Sequence, residues 1–187
     1  MCAAIKAKVL QAKNTVVLAR WLLGKVLAVV DADGQVRRVR ICETEAYHGA
    51  SDVACHASKG RTARTEVMFA EGGVWYVYLC YGVHEMLNLV TGPSDQPSAI
   101  LIRGVEGVVG PGRVTRALGI DRRFNGRPAD EATGLWIEDD GFVVPRRAIT
   151  ATPRIGVAYA GPEWAAKPWR FFYRPIISAG PLADDSR

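Results

Sequence analysis

Residues 74–91, VWYVYLCYGVHEMLNLVT, are two β-rich runs that meet at Tyr81 and Gly82. Branched and aromatic residues favour a pleated, half-buried strand, so Val74–Cys80 and Val83–Thr91 are expected to pair. Gly82 supplies the positive φ that a tight two-residue tip requires. Alternation then puts Tyr76 and Tyr78 on one face. Tyr81 is left at the turn, where a bulky ring has little of its own domain to pack on. Such a ring beside a glycine can wedge between stacked bases, as intercalating side chains do in a minor groove.

A second hairpin lies upstream: Val26–Val30, the Asp33-Gly34 turn and the long run Val36–Tyr47. Within ICETEAY, residues 41–47, alternation groups Glu43, Glu45 and Tyr47 on one face, and Cys42, Thr44 and Ala46 on the other. Two acids beside an aromatic ring are either an ordinary solvated strand face or a general base whose pKa is tuned by partial desolvation. Residues 48–73 show no sustained periodicity and read as a long loop with at most one short helical turn. Loops of that length in compact domains are usually functional. Asn14 is placed to cap a helix carrying Val17, Leu18, Trp21 and Leu22, with Gly24 ending it. Downstream, Ala99–Val105 is a strand, and GPGRVTRALGI, residues 110–120, is a helix with Pro111 at its first position and Arg113 and Arg116 along it. Asp140-Gly141 marks a third hairpin, Arg154 opens a late strand, and residues 182–187 form a disordered tail.

The chain has 187 residues, enough for one domain spanning 1–187. With 24 Lys and Arg against 19 Asp and Glu, its net charge of +5 suits an acidic partner, nucleic acid or a membrane surface. Its most apolar stretch, Val16–Val30, is interrupted by Arg20 and Lys25, so no membrane span is expected. The N-terminus intersperses Lys6, Lys8 and Lys13 and lacks a secretory pattern, which implies an intracellular protein. Cys2, Cys42, Cys55 and Cys80 contain no CxxC pair and are expected to be reduced thiols. His48, His56 and His84 with Cys55 and Cys80 lack metal-ligand spacing, so no metal is expected. GPGR at 110–113 lacks the P-loop Lys and the dinucleotide fingerprint, and suits a backbone phosphate better than a nucleotide cofactor.

Taken in order, LLGKVL (22–27), CETEAYHG (42–49), CHASKGRT (55–62), VMF (67–69), the run at 74–91, AILIRGVE (99–106), GPGRVTRALGI, PRIGV (153–157) and PWRFF (168–172) resemble the alkyladenine (3-methyladenine) DNA glycosylase family over about residues 14–175. The resemblance implies a single α+β domain, a curved and partly barrel-like antiparallel sheet with flanking helices. It implies a monofunctional, monomeric enzyme of base excision repair that flips alkylated or deaminated purines out of duplex DNA and hydrolyses the N-glycosidic bond without a cofactor. By position, Glu45 matches the water-activating acid; Tyr47, His56 and Tyr78 match the rings around the flipped base; Tyr81 matches the wedge. Asn88 matches the asparagine that opposes the 2-amino group of guanine, and Arg103 an arginine near the acid; Arg64 and Arg113 are further candidate DNA contacts. No lysine stands at the matched pocket positions, so no Schiff base or strand cleavage is expected.

Three residues depart from the family pattern: Val83 after the tip, Thr65 before VMF, and Glu85 on the return strand. A carboxylate at 85 is compatible with nearby phosphate only if it points away or pairs with an arginine. Two other classes of function compete: a damage-binding module, which would not need Glu45, and a His/Cys metallohydrolase, which a chelator would inactivate.

Overall fold

The computed structural model describes residues 3–174, so Cys2 and the expected tail at 182–187 lie outside the described residues. Local signals account for the first half of the fold. The Asn14 side chain accepts the Val17 amide and starts α2 (Thr15–Trp21), which follows β1 (Ala3–Ala4) and a single turn, α1 (Ala7–Leu10). The Asp31 carboxylate accepts the Asp33 and Gln35 amides and turns β2 (Val26–Val30) into β3 (Val36–His48). The tyrosine hairpin forms from β4 (Trp75–Cys80) and β5 (His84–Thr91), followed by β6 (Ser98–Val105), the short β7 (Val108–Val109) and α3 (Pro111–Leu118). Gly119 closes α3 in the left-handed conformation, as a C-terminal glycine does.

The sheet runs β1, β8 (Leu135–Asp139), β2, β3, β6, β5, β4, with every pairing antiparallel. This α+β architecture has an open path, with β1 and β4 at its ends, and does not close into a barrel. Strand β3 is long enough to serve two neighbourhoods. Its first half pairs with β2 through Arg40, and its second half pairs with β6 from Ile41 to His48, with a bulge around Glu43. The main core fills the space between the sheet and the helices, with Leu18, Leu22, Trp75, Leu89, Ile100 and Phe171 almost fully buried.

Four expectations need correction. Cys80 pairs with His84, so the hairpin tip has three residues; the Val83 amide closes on the Cys80 carbonyl, and Tyr81 itself takes φ +50°. Asp140-Gly141 makes no hairpin. The Asp139 and Asp140 carboxylates accept the Gly141 and Phe142 amides and hold Lys25 and Arg40, so the turn is pinned to β2 and β3 and no return strand follows. Arg154 opens a loop instead of a strand: Pro153 lacks a donor, Gly156 has φ +76°, and the chain winds into a 3₁₀ turn at Ala158–Ala160. The late elements are β9 (Thr150–Thr152), α4 (Gly161–Ala166) and β10 (Arg170–Phe172), and β10 pairs with β9 and with β3 opposite Glu43–Glu45. The loop at 48–73 carries two 3₁₀ turns, His56–Lys59 and Glu66–Phe69, one more than expected.

Candidate active site

Glu45 sits mid-strand in β3 and is completely buried, which excludes the solvated-face reading of this strand. A carboxylate in such a place requires donors. One oxygen accepts the Tyr47 hydroxyl at 2.8 Å; the other accepts the Ile155 amide at 2.8 Å and lies 3.5 Å from Arg103 Nε. Burial nevertheless dominates and raises the Glu45 pKa, opposed in decreasing order by Arg103, the Ile155 amide and the Tyr47 hydroxyl, while Glu43 adds to the rise. The result is a carboxylate more basic than usual, held by two hydrogen-bond donors with a guanidinium close by.

Glu45 and Tyr47 line a cleft of about 320 Å³, within the ~300–1,000 Å³ range of small-ligand sites. His56, from the first 3₁₀ turn, and Tyr76 and Tyr78, from β4, line it with them. The His56 and Tyr78 rings meet edge to face at 4.6 Å between centroids, and Tyr76 and Tyr78 lie 5.2 Å apart. Tyr76 also holds His56 through its hydroxyl, 3.1 Å from Nδ1. Burial, followed by the nearby Arg64 and Lys59, pushes His56 down to about 4, so the ring is neutral at physiological pH. The exposed Arg64 places its guanidinium 4.9 Å above the Tyr78 ring at the cleft.

Asn88, buried on β5, donates its amide to the Tyr76 and Met86 carbonyls at 3.2 and 3.1 Å. With both backbone groups holding it, the side chain cannot swing away from the cleft it lines. Tyr81 also borders the cleft and is 95% exposed, the position expected of a residue that acts outside its own fold. The structure therefore gathers Glu45, Tyr47, His56, Arg64, Tyr78, Tyr81, Asn88 and Arg103 around one cavity. Arg113 stands apart, exposed on the first turn of α3 and outside the cavity lining.

The three departures find places. Glu85 pairs with Arg122 at 3.0 Å, which meets the condition for a carboxylate near the tip. Thr65 is buried and ties the loop to Thr62 and to the Gly60 carbonyl. Val83 is exposed at the tip.

Sequence reasoning missed the supports of the site. Arg154 and Asp52 form a fully buried ion pair with contacts of 2.5 and 2.9 Å. Arg154 also donates to the Ala46 carbonyl, and its guanidinium lies 4.8 Å from the Tyr47 ring and 5.1 Å from Trp169. Asp52 in turn accepts the His48 and Ala54 amides, so this one pair fixes β3, the loop leading to His56 and the loop that brings Ile155 to Glu45. A charged residue between Pro153 and the apolar Ile155 was a faint signal, but its partner lies 102 residues away. Among the described residues no three His, Cys, Asp or Glu side chains come together as a metal-ligand set.

Known proteins resemble this chain along most of its length. The methylpurine-DNA glycosylase (MPG) family model matches residues 9–110 and 107–175. A protein of Psychrobacter cryohalolentis is 44% identical, covering 87% of each chain, and one of Myxococcus xanthus is 47% identical, covering 91% of each. One of Anaeromyxobacter dehalogenans is 48% identical over 87% of this chain and 80% of its own. All three are provisionally named 3-methyladenine DNA glycosylases. Matched along nearly its whole described length and 44 to 48% identical to these relatives, the chain belongs to the methylpurine-DNA glycosylase family.

Proposed function

We propose that this DNA glycosylase flips an alkylated or deaminated purine out of duplex DNA into the cleft and hydrolyses its N-glycosidic bond. The observation that carries the reading is a wholly buried Glu45 in a cleft of aromatic rings whose rim bears the exposed Tyr81. A base inside a duplex is unreachable, and extruding it costs a few kcal/mol, least where damage has weakened its pairing. Tyr81 would fill the gap in the stack.

Alkylation at N3 or N7 makes a purine cationic, and electron-rich rings attract such a cation by roughly 0.5 to 2 kcal/mol. A neutral His56 adds no opposing charge to that enclosure. The cationic purine is also a good leaving group, so recognition and catalysis draw on one property. A water attacks C1′ of the sugar while Glu45 takes its proton, and the bond to the purine nitrogen breaks with its electron pair going to the departing base. The products are a free purine and an abasic sugar. The Tyr47 hydroxyl and the Ile155 amide hold the Glu45 oxygens in place meanwhile, with the Arg103 guanidinium 3.5 Å away.

The test uses duplexes carrying 3-methyladenine, 7-methylguanine, hypoxanthine or ethenoadenine, each incubated with the protein and then cleaved at abasic sites with alkali. Release of at least one of them, unaffected by chelator, is the expected result. Tight lesion binding without release would establish the damage-binding module instead, and loss of release with chelator the metal-dependent hydrolase.

A further inference from the structure

Glu43 is 3% exposed and accepts Arg103 Nε at 2.9 Å and Arg170 Nε at 2.6 Å on the same oxygen. It does not line the cleft. Two local features of the chain make room for it. The register between β3 and β6 shifts on either side of Glu43, and Gly104 faces it, where a Cβ would come within 2.9 Å of the Glu43 Cβ. No side chain larger than glycine fits there.

We propose that Glu43 is a positioning residue of the glycosylase reaction, holding Arg103 on its own carboxylate so that the guanidinium does not close on Glu45. The inference rests on the reading of Glu45 as the general base. Arg103 already lies 2.9 Å from Glu43 and 3.5 Å from Glu45, so the two acids compete for one cation and Glu43 has the shorter contact. Every charged or titratable group facing Glu45 enters the balance. From β3 come Glu43 and Tyr47, from β6 Arg103, and from β10 Arg170, which reaches Glu43. From the loop after β9 comes Arg154, already engaged by Asp52. Glu43 and Glu45 thus face Arg103 and Arg170, two charges of each sign. Without Glu43, two guanidiniums confront a single carboxylate, and Glu45 becomes a weaker base.

The experiment measures single-turnover base release against pH, with a duplex whose lesion carries a permanent positive charge, so that the acid limb does not require protonation of the leaving group. For Glu43→Gln the limb should move down by about one pH unit, with a reduced plateau. Arg170→Gln should move it up, since it leaves the pair of acids with one cation fewer, and this variant keeps the test open if Glu43→Gln does not fold. Glu43→Asp, which retains the charge, should bring the limb back toward wild type. A purely structural role would not produce opposite displacements. An unmoved limb in either folded variant, or a folded Glu43→Gln protein with no release at all, overturns the proposal. Glu45→Gln in the same assay separates the two readings. If it still releases base, the general-base assignment has failed; if it is silent while the limb of the other variants stays put, only the role of Glu43 has.

Discussion

His56 and Asn88 show how single residues are shaped by what holds them. His56 is neutral because burial and two cations pull its pKa from 6.5 to about 4. Between those values the unfolded chain binds a proton that the folded chain refuses, so stability contributed by this residue is present above pH 6.5 and lost as the pH falls toward 4. Thermal melts over that range should therefore fall more steeply for wild type than for His56→Gln; parallel curves would show that the imidazole is not held neutral. Asn88 is fixed by the Tyr76 and Met86 carbonyls, and on the proposed reading it excludes a group at the purine edge. Selectivity often comes from a built-in clash with the wrong ligand. Asn88→Ser should open that edge to unmodified guanine, first at G·T or G·U mismatches, where flipping is easier. Abasic-site formation at those pairs is the measurement. Unchanged guanine release with alkyl-purine activity intact would move the selectivity elsewhere on the hairpin.

Among the elements, the β4–β5 hairpin supplies Tyr76, Tyr78 and Tyr81 to the cleft, with Tyr81 95% exposed at its border; on the proposed reading the first two belong to the cage and the third is the wedge. Tyr81→Ser should weaken lesion-duplex binding by the loss of stacking worth roughly 1 to 3 kcal/mol, while release from a single-stranded lesion changes less. Equal losses on both substrates would place Tyr81 in the pocket rather than in the duplex. This hairpin, the β2–β3 hairpin and α2 were legible in the sequence because their signals are local: alternation, a turn glycine, a capping Asn14. The late elements were not. Strand β10 is three residues long, too short to show a period, and it exists through pairing with Thr44 and with β9. The segment at Arg154 has a strand-like composition, but Pro153, Gly156 and the Asp52 pair decide its path.

For the whole molecule, the surplus of positive charge agreed with a DNA partner but did not identify one; the ordered motifs did that. The residues named by resemblance, Arg113 apart, line one cleft, whereas their supports were hidden because each lies across long sequence separations: Arg154 on Asp52, Arg170 on Glu43, the Ile155 amide on Glu45. These contacts bring residues 154–170 into the surroundings of β3. Breaking a buried pair such as Asp52–Arg154 typically costs about 3 to 5 kcal/mol, so the late loop is tied firmly to the fold. The proposed reaction turns on Glu45, and the most direct measurement compares wild type with Glu45→Gln for base release from one lesion duplex, with binding to that duplex measured in parallel. If Glu45 is the base, release falls at least ~100-fold, as the loss of acid–base catalysis does, while lesion binding persists. Release near the wild-type rate would contradict the account.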